Sequence, residues 1–132
     1  KPVYGSGGAS GADVRAAVAE PVCIQPGARA LIPTGLHLHL PEGYEVQLRP
    51  RSGLALNHGI TVLNSPGTID SDYRGEIMVI LINLGDKPFT VQRGDRIAQM
   101  VFSITARAEF ICIDGIERSE RGNGGFGSTG IQ

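Results

Sequence analysis

The sequence predicts an all-β fold, an antiparallel sandwich or a jelly-roll-like barrel. Three observations point there. Short apolar runs recur about every eight to twelve residues, with a turn signal between neighbours. The stretches 36–40 and 44–49 alternate strictly between apolar and polar side chains, the period of a half-buried strand. Glycine is abundant, at 19 residues, and tryptophan is absent, a composition of many turns and little long helix.

The chain opens with a flexible, glycine-rich lead-in, Gly5 to Gly11, followed by Asp13-Val-Arg-Ala-Ala. A first strand is expected around Val22 to Gln25, and Pro26-Gly27 is a turn signal. Ala28 to Ile32 reads as the next strand, ended by Pro33-Thr34-Gly35. Leu36 to Leu40 puts leucines on one face and His37 and His39 on the other. Pro41-Glu42-Gly43 turns the chain into a strand over Tyr44 to Arg49. Residues 50–59 break the pattern. Ser52 is the expected N-cap and Gly59 the expected C′ residue of one short helix, Gly53 to His58. Strands then follow at Ile60 to Leu63 and at Glu76 to Asn83. The second is nearly continuous in apolar residues, so burial on both faces is expected. Phe89 to Gln92, Ile97 to Ile104 and Ala108 to Ile113 complete the set. From Asp114 the pattern stops. The tail is polar, then glycine-rich around Phe126, and cannot bury enough apolar surface to fold alone.

The length suits one domain with a real core. Net charge is −1 with no basic block, which argues against polymeric nucleic acid as a partner. No apolar run approaches the roughly 20 residues that cross a bilayer, so no membrane association is expected. No charged-then-apolar leader is read, and the expected location is cytoplasmic. Cys23 and Cys112 lie in apolar, strand-like runs without a CxxC pair; buried, reduced thiols are the expectation.

Chemistry concentrates where strands are interrupted. Between Gly67 and Ile77 stand Asp70, Asp72, Tyr73 and Arg74. A long polar connection between two buried strands is where a scaffold presents function. The same Asp-Ser-Asp is also ordinary turn chemistry. Four more segments carry polar groups: Gly11-Ala-Asp13, Pro50 to Ala55, Gly94 to Gln99 and Arg121 to Thr129. Arg51, Arg96 and Arg121 are guanidinium forks suited to phosphate. Ser128 and Thr129 lie among glycines, whose backbone can approach phosphate closely. Phe126 offers a surface for a base, and Asp13 an outer-shell carboxylate for a hard cation held by phosphates. Together these describe a nucleoside triphosphate site. The GxGxxG spacing at 122–127 has no strand and helix around it, so a dinucleotide site is rejected. His37 and His39 lack a third metal ligand, and His58 simply ends the helix.

As an ordered set the five segments resemble the trimeric all-β deoxyuridine triphosphate nucleotidohydrolase (dUTPase) family, over nearly the whole chain. Pro50-Arg-Ser-Gly-Leu-Ala55, Gly67-Thr-Ile-Asp-Ser-Asp-Tyr-Arg-Gly75 and Arg121-Gly-Asn-Gly-Gly-Phe-Gly-Ser-Thr-Gly130 carry most of the likeness. The resemblance implies a distorted jelly-roll-like antiparallel barrel of the β-clip kind over residues 1–116. Residues 117–132 are then a flexible arm closing over an active site of the trimer. It implies hydrolysis of dUTP to dUMP and pyrophosphate, which keeps uracil out of DNA and supplies dUMP for dTMP synthesis. Asp70 would orient the water that attacks the α-phosphorus. Tyr73 would pack under the deoxyribose and exclude a 2′-hydroxyl. Asn64 and the backbone at Met78 would bond the uracil edge, and Phe126 would stack on it. Arg51, Ser52, Gln99, Arg121, Ser128 and Thr129 would hold phosphates. Gly53, Gly67, Thr68, Ile69 and Gly127 would line the substrate. Asp13 would meet the water shell of Mg²⁺ carried by the triphosphate. A dCTP deaminase of the same fold would need a general-base Glu five residues after Gly75, where Ile80 stands. A non-catalytic trimeric β-module would be expected to have lost part of this set.

Overall fold

The computed structural model of the chain describes residues 1–125. Ten strands and one helix follow in order. They are β1 (Val3–Tyr4), β2 (Ala12–Arg15), β3 (Val22–Ile24), β4 (Arg29–Leu36), β5 (Tyr44–Arg49), α1 (Ser52–His58), β6 (Ile60–Val62), β7 (Gly67–Ile69), β8 (Ile77–Asn83), β9 (Phe89–Val91) and β10 (Arg96–Ile104). They form a five-stranded sheet, β1-β2-β10-β5-β7, a three-stranded sheet, β4-β8-β6, and the pair β3-β9. Every pairing is antiparallel. Non-sequential neighbours in each sheet give the jelly-roll-like wrap that short, turn-separated strands require.

One core lies between the sheets. Val14, Val46 and Met100 enter it from the first sheet, and Ile32, Val79 and Leu81 from the second. Each follows from strand alternation: β5 buries Val46 and Leu48 on one face and sets Glu45, Gln47 and Arg49 on the other. Asn83 is a fully buried polar side chain. Its Nδ2 donates to the Ile24 carbonyl at 2.9 Å and to the Lys87 carbonyl at 2.8 Å, and its Oδ1 accepts from Gly85 N–H at 2.9 Å. A buried amide so satisfied ties β3 to the turn after β8 at no net desolvation cost.

Several expectations are corrected. The lead-in is framed by strands: β1 and β2 pair, and β2 then pairs with β10. β4 does not stop at Pro33; it continues through a register shift to Leu36. Leu36 to Leu40 keeps its alternation, with Leu40 buried and His37 and His39 exposed, but residues 37–40 join no ladder. The helix begins at Ser52. Arg51 occupies the N-cap and makes no side-chain capping bond, while Gly59 takes the left-handed C-cap at φ 68°. β8 is buried on one face only: Met78, Ile80 and Ile82 stay half-exposed, because nothing else among the described residues covers them. The Gly67–Ile77 stretch is not a simple hairpin connection. β6 and β8 do pair, but β7 between them leaves to pair with β5 in the other sheet.

Residues 105–125 contain neither helix nor strand. The strand expected at Ala108 to Ile113 is absent, since a strand needs an edge to pair with and this segment reaches none. Phe110 is 95% exposed and Ile116 89%. Cys23 and Cys112 are free but exposed, not buried. Cys23 sits on the outward position of β3, between half-buried Val22 and buried Ile24, and Cys112 lies in the unpaired segment. Among the described residues no helix is long and apolar enough to cross a membrane.

Candidate active site

Two groups of side chains stand at opposite ends of the β5–β7 pair. The first gathers where β2, β10 and β5 meet. Gln99 is in register with Asp13 on one side and Arg49 on the other. Arg51 and Ser52 follow directly, as β5 gives way to α1. Asp13 binds two guanidiniums at once: Arg51 Nε at 3.0 Å and Arg96 Nη1 at 3.2 Å. Arg51 Nη1 also donates to the Arg96 carbonyl at 3.1 Å. Gln99 Nε2 donates to the Pro50 carbonyl at 2.9 Å. Gly11 lies against this glutamine; a Cβ there would overlap Gln99 Oε1 and sit 3.0 Å from its Cδ. The partly exposed ion pairs add little stability. They do hold two arginines side by side, where an anion with several oxygens can engage both.

The second group surrounds a cleft of about 310 Å³, lined by Thr68, Ile69, Asp70, Tyr73 and Met78 among others. Asp70 follows β7 and is exposed, so its carboxylate faces solvent. Tyr73 N–H donates to the Asp70 carbonyl at 3.2 Å, closing a turn. The Tyr73 ring lies over Gly75, where a Cβ would overlap the phenol oxygen and sit 2.5 Å from Cζ. Its hydroxyl donates to the Glu76 carbonyl at 2.9 Å. Asn64 rests on Gly67; a Cβ on that glycine would approach Asn64 Nδ2 to 3.3 Å. A carboxylate beside an aromatic wall in one cleft suits a sugar-linked heterocycle with a reacting centre at Asp70.

The two groups do not meet in one chain. β5 and β7 run antiparallel, with Leu48 opposite Gly67 and Val46 opposite Ile69. Asp70 therefore lies toward Glu45, while the guanidinium group lies beyond Arg49. Those ends of β5 are separated by about 13 Å, at roughly 3.3 Å per residue, and Arg51 lies farther still. The linked phosphorus atoms of one triphosphate span much less.

A sequence model of the dUTPase family matches residues 2–130. The chain belongs to the dUTPase family. The deoxyuridine 5′-triphosphate nucleotidohydrolase of Chlamydia pneumoniae is 60% identical over 130 residues, covering 98% of this chain and 90% of the relative. The enzyme of that name from Roseobacter denitrificans is 59% identical, with 98% and 86% covered. A solved dUTPase of Staphylococcus bacteriophage 80alpha, with dUpNHpp, matches at a TM-score of 0.89 and 26% identity, covering 99% of this chain and 92% of that one.

Within this dUTPase scaffold the structure places Arg51, Ser52 and Gln99 together with Asp13. Gly53 stands exposed in α1 beside Ser52. Thr68, Ile69, Asp70, Tyr73 and Met78 line the second cleft, while Gly67, opposite Leu48, and Asn64, which rests on it, lie toward the arginine end of the β5–β7 pair. Arg121 joins neither: its Nε donates to the Gly124 carbonyl at 2.7 Å within its own turn. Phe126, Gly127, Ser128 and Thr129 lie outside the described residues. Three residues that hold the site were missed by sequence reasoning. Gly11 and Gly75 stood only as the ends of polar segments, with no contact of their own assigned, because a glycine's neighbour in space is invisible in sequence. Glu76 was read as the start of a strand. Among the described residues no group of three or more His, Cys, Asp or Glu forms a metal cage. Asp13 is a single part-exposed carboxylate with both oxygens on guanidiniums, so it could meet a cation only through that cation's own water ligands.

Proposed function

We infer that the chain hydrolyses dUTP to dUMP and pyrophosphate. The reading is supported by about 60% identity to curated dUTP nucleotidohydrolases across nearly the whole chain, and by a cleft that unites Asp70, Tyr73 and Met78. Asp70 orients a water toward the α-phosphorus. The water oxygen bonds to phosphorus, the bridging oxygen leaves with pyrophosphate, and the water's proton passes to Asp70 or solvent. Positioning and charge neutralisation supply most of the rate in phosphoryl chemistry. Arg51, Ser52 and Gln99 bind phosphates, and Asp13 would meet, through water, a Mg²⁺ that would supply further charge neutralisation when bound. Tyr73 closes the space a 2′-hydroxyl would need. Asn64 and the Met78 backbone pair with uracil. The arm, residues 117–132, brings Arg121, Phe126, Ser128 and Thr129 over the bound nucleotide. The substrate is a free nucleotide, and the proposed location is cytoplasmic.

The active unit is a homotrimer with shared sites. The separation of Asp70 from Arg51 supports this, since one triphosphate reaches both only when they come from different chains. The exposed outer face of β8 and the unpaired apolar segment around Phe110 offer surface for such partners.

Pyrophosphate release from dUTP, dCTP, dTTP and UTP, each with Mg²⁺ at pH 7, tests the reading. Release from dUTP is expected, with dCTP rejected by on the order of 10⁴, because the swapped donor and acceptor leave buried groups unpaired. Ammonia from dCTP, or no product from any of the four, overturns it. A second expectation concerns Gly75→Ala. The new methyl must displace the end of the Tyr73 side chain, which can swing away without moving backbone. Thermal stability should hardly change, while kcat/KM for dUTP falls roughly tenfold as the sugar wall shifts. Wild-type kinetics in this variant would show that Tyr73 does not form that wall.

A further inference from the structure

We infer that Glu76 is a positioning residue that sets selectivity for deoxyribose over ribose nucleotides, by locking the Tyr73 loop onto the kink of β4. The inference rests on the dUTP reading above. Between Pro33 and Leu36 the β4–β8 ladder loses register, which leaves two adjacent backbone N–H groups without ladder partners. Glu76 Oε1 accepts both, from Thr34 at 3.2 Å and Gly35 at 2.7 Å. Thr34 Oγ1 then donates to the Ile77 carbonyl at 2.5 Å and accepts from Leu36 N–H at 3.2 Å. Just past the kink, His37 Nδ1 lies 3.0 Å from the Arg74 carbonyl and donates to it as the Nδ1–H tautomer. The kink therefore grips the loop at Arg74, Glu76 and Ile77, on both sides of Gly75. Without this grip Gly75 is the point where the chain would bend, since it has no side chain to restrict it.

The Tyr73 hydroxyl takes its acceptor from the same residue, the Glu76 carbonyl. The height of the ring over the cleft is thus fixed by where Glu76 is held. Ribose and deoxyribose differ by one oxygen, so a wall that discriminates between them must not yield by even an ångström, and such precision comes from supporting residues. The carboxylate acts here as a double acceptor for neutral donors. A glutamine side chain offers the same acceptor without the charge.

The test measures kcat and KM for dUTP and UTP with the wild type, Glu76→Ala, Glu76→Gln and His37→Ala. The ratio of kcat/KM for dUTP to that for UTP should fall roughly tenfold in Glu76→Ala, below the roughly hundredfold that a full ångström of misplacement can cost. The change should come from a lower KM for UTP and a lower kcat for dUTP. Glu76→Gln should keep the wild-type ratio. His37→Ala, which removes a grip at an exposed side chain, should shift the ratio in the same direction by less. An unchanged ratio in folded Glu76→Ala, or a glutamine variant that behaves like alanine, overturns the inference. If Glu76→Ala does not fold, His37→Ala decides, and an unchanged ratio there overturns it. A wild type that releases no pyrophosphate from dUTP overturns the functional reading and this inference together; an active wild type beside unresponsive variants overturns this inference alone.

Discussion

Asp70→Asn is expected to lower kcat for dUTP by about 10³-fold, within the range that positioned general-base groups supply. KM and the melting temperature should stay near wild type. The structure explains the split. Asp70 is exposed, and its backbone carbonyl, which closes the turn with Tyr73, survives the substitution. The amide keeps the size of the carboxylate but loses its charge and its capacity to take a proton. An interaction made only in the transition state is removed, so kcat and kcat/KM should fall together. Normal turnover in this variant would falsify the assigned mechanism. A mixing experiment extends the test to the shared site. Arg51→Ala should also be nearly inactive, because it removes a phosphate ligand and one partner of Asp13. Equal amounts of the two variants, unfolded and refolded together, should form mixed trimers. With random assembly about a quarter of sites would combine an intact Asp70 with an intact Arg51 from another chain. Recovery near that level supports sites built between chains. No recovery above either variant alone places both residues in one chain's site, against the geometry of β5 and β7.

Gly59→Ala should destabilise the fold by about 2–4 kcal/mol, summing the left-handed backbone cost and a steric cost. At fixed protein concentration this corresponds to a melting point lower by about 10 °C. Gly59 closes α1 at φ 68° and its N–H donates to the Ala55 carbonyl. A methyl there would overlap Gly85 N, and sit 2.7 Å from Gly85 Cα and 2.9 Å from the Leu84 carbonyl carbon. That backbone cannot easily retreat. Asn83 holds Gly85 N–H through its side chain, and Leu84 N–H donates to the Gly59 carbonyl at 2.8 Å. Gly27→Ala is the control. Gly27 has φ 76° but nothing within 4 Å of the added carbon, so only the backbone cost of about 1 kcal/mol should register. Equal melting temperatures for the two variants would mean that the Gly59–Gly85 corner relaxes freely.

Much of the fold is legible in local pattern. Strict alternation gave β5 its limits without error, since period two leaves one face buried only in that register. Gly59 read correctly as a helix stop because the left-handed conformation there favours glycine. The segments around Arg51, Asp70 and Gln99 stood out because polar and charged groups interrupt apolar strands. What alternation could not give was pairing. A strand's partner is set by long-range closure, so β2 and its bond to β10 went unseen, and the Gly67–Ile77 stretch was read as one connection when its first residues belong to another sheet. The apolar run at Ala108 to Ile113 had strand composition, yet composition without an edge makes no strand. The two cysteines were misplaced for a related reason: an apolar run says a segment is strand-like, not which residue faces out.

By itself, then, the sequence determined the fold class and the family and named the residues of a candidate site, because these follow from local patterning and ordered motifs. Only the tertiary structure decided that Asp13 pairs with Arg51 and Arg96, that Glu76 binds the kink of β4, and that Asp70 lies at the other end of β5 from Arg51. Each is a contact across strands distant in sequence. Backbone register sets such distances, and no single segment encodes them.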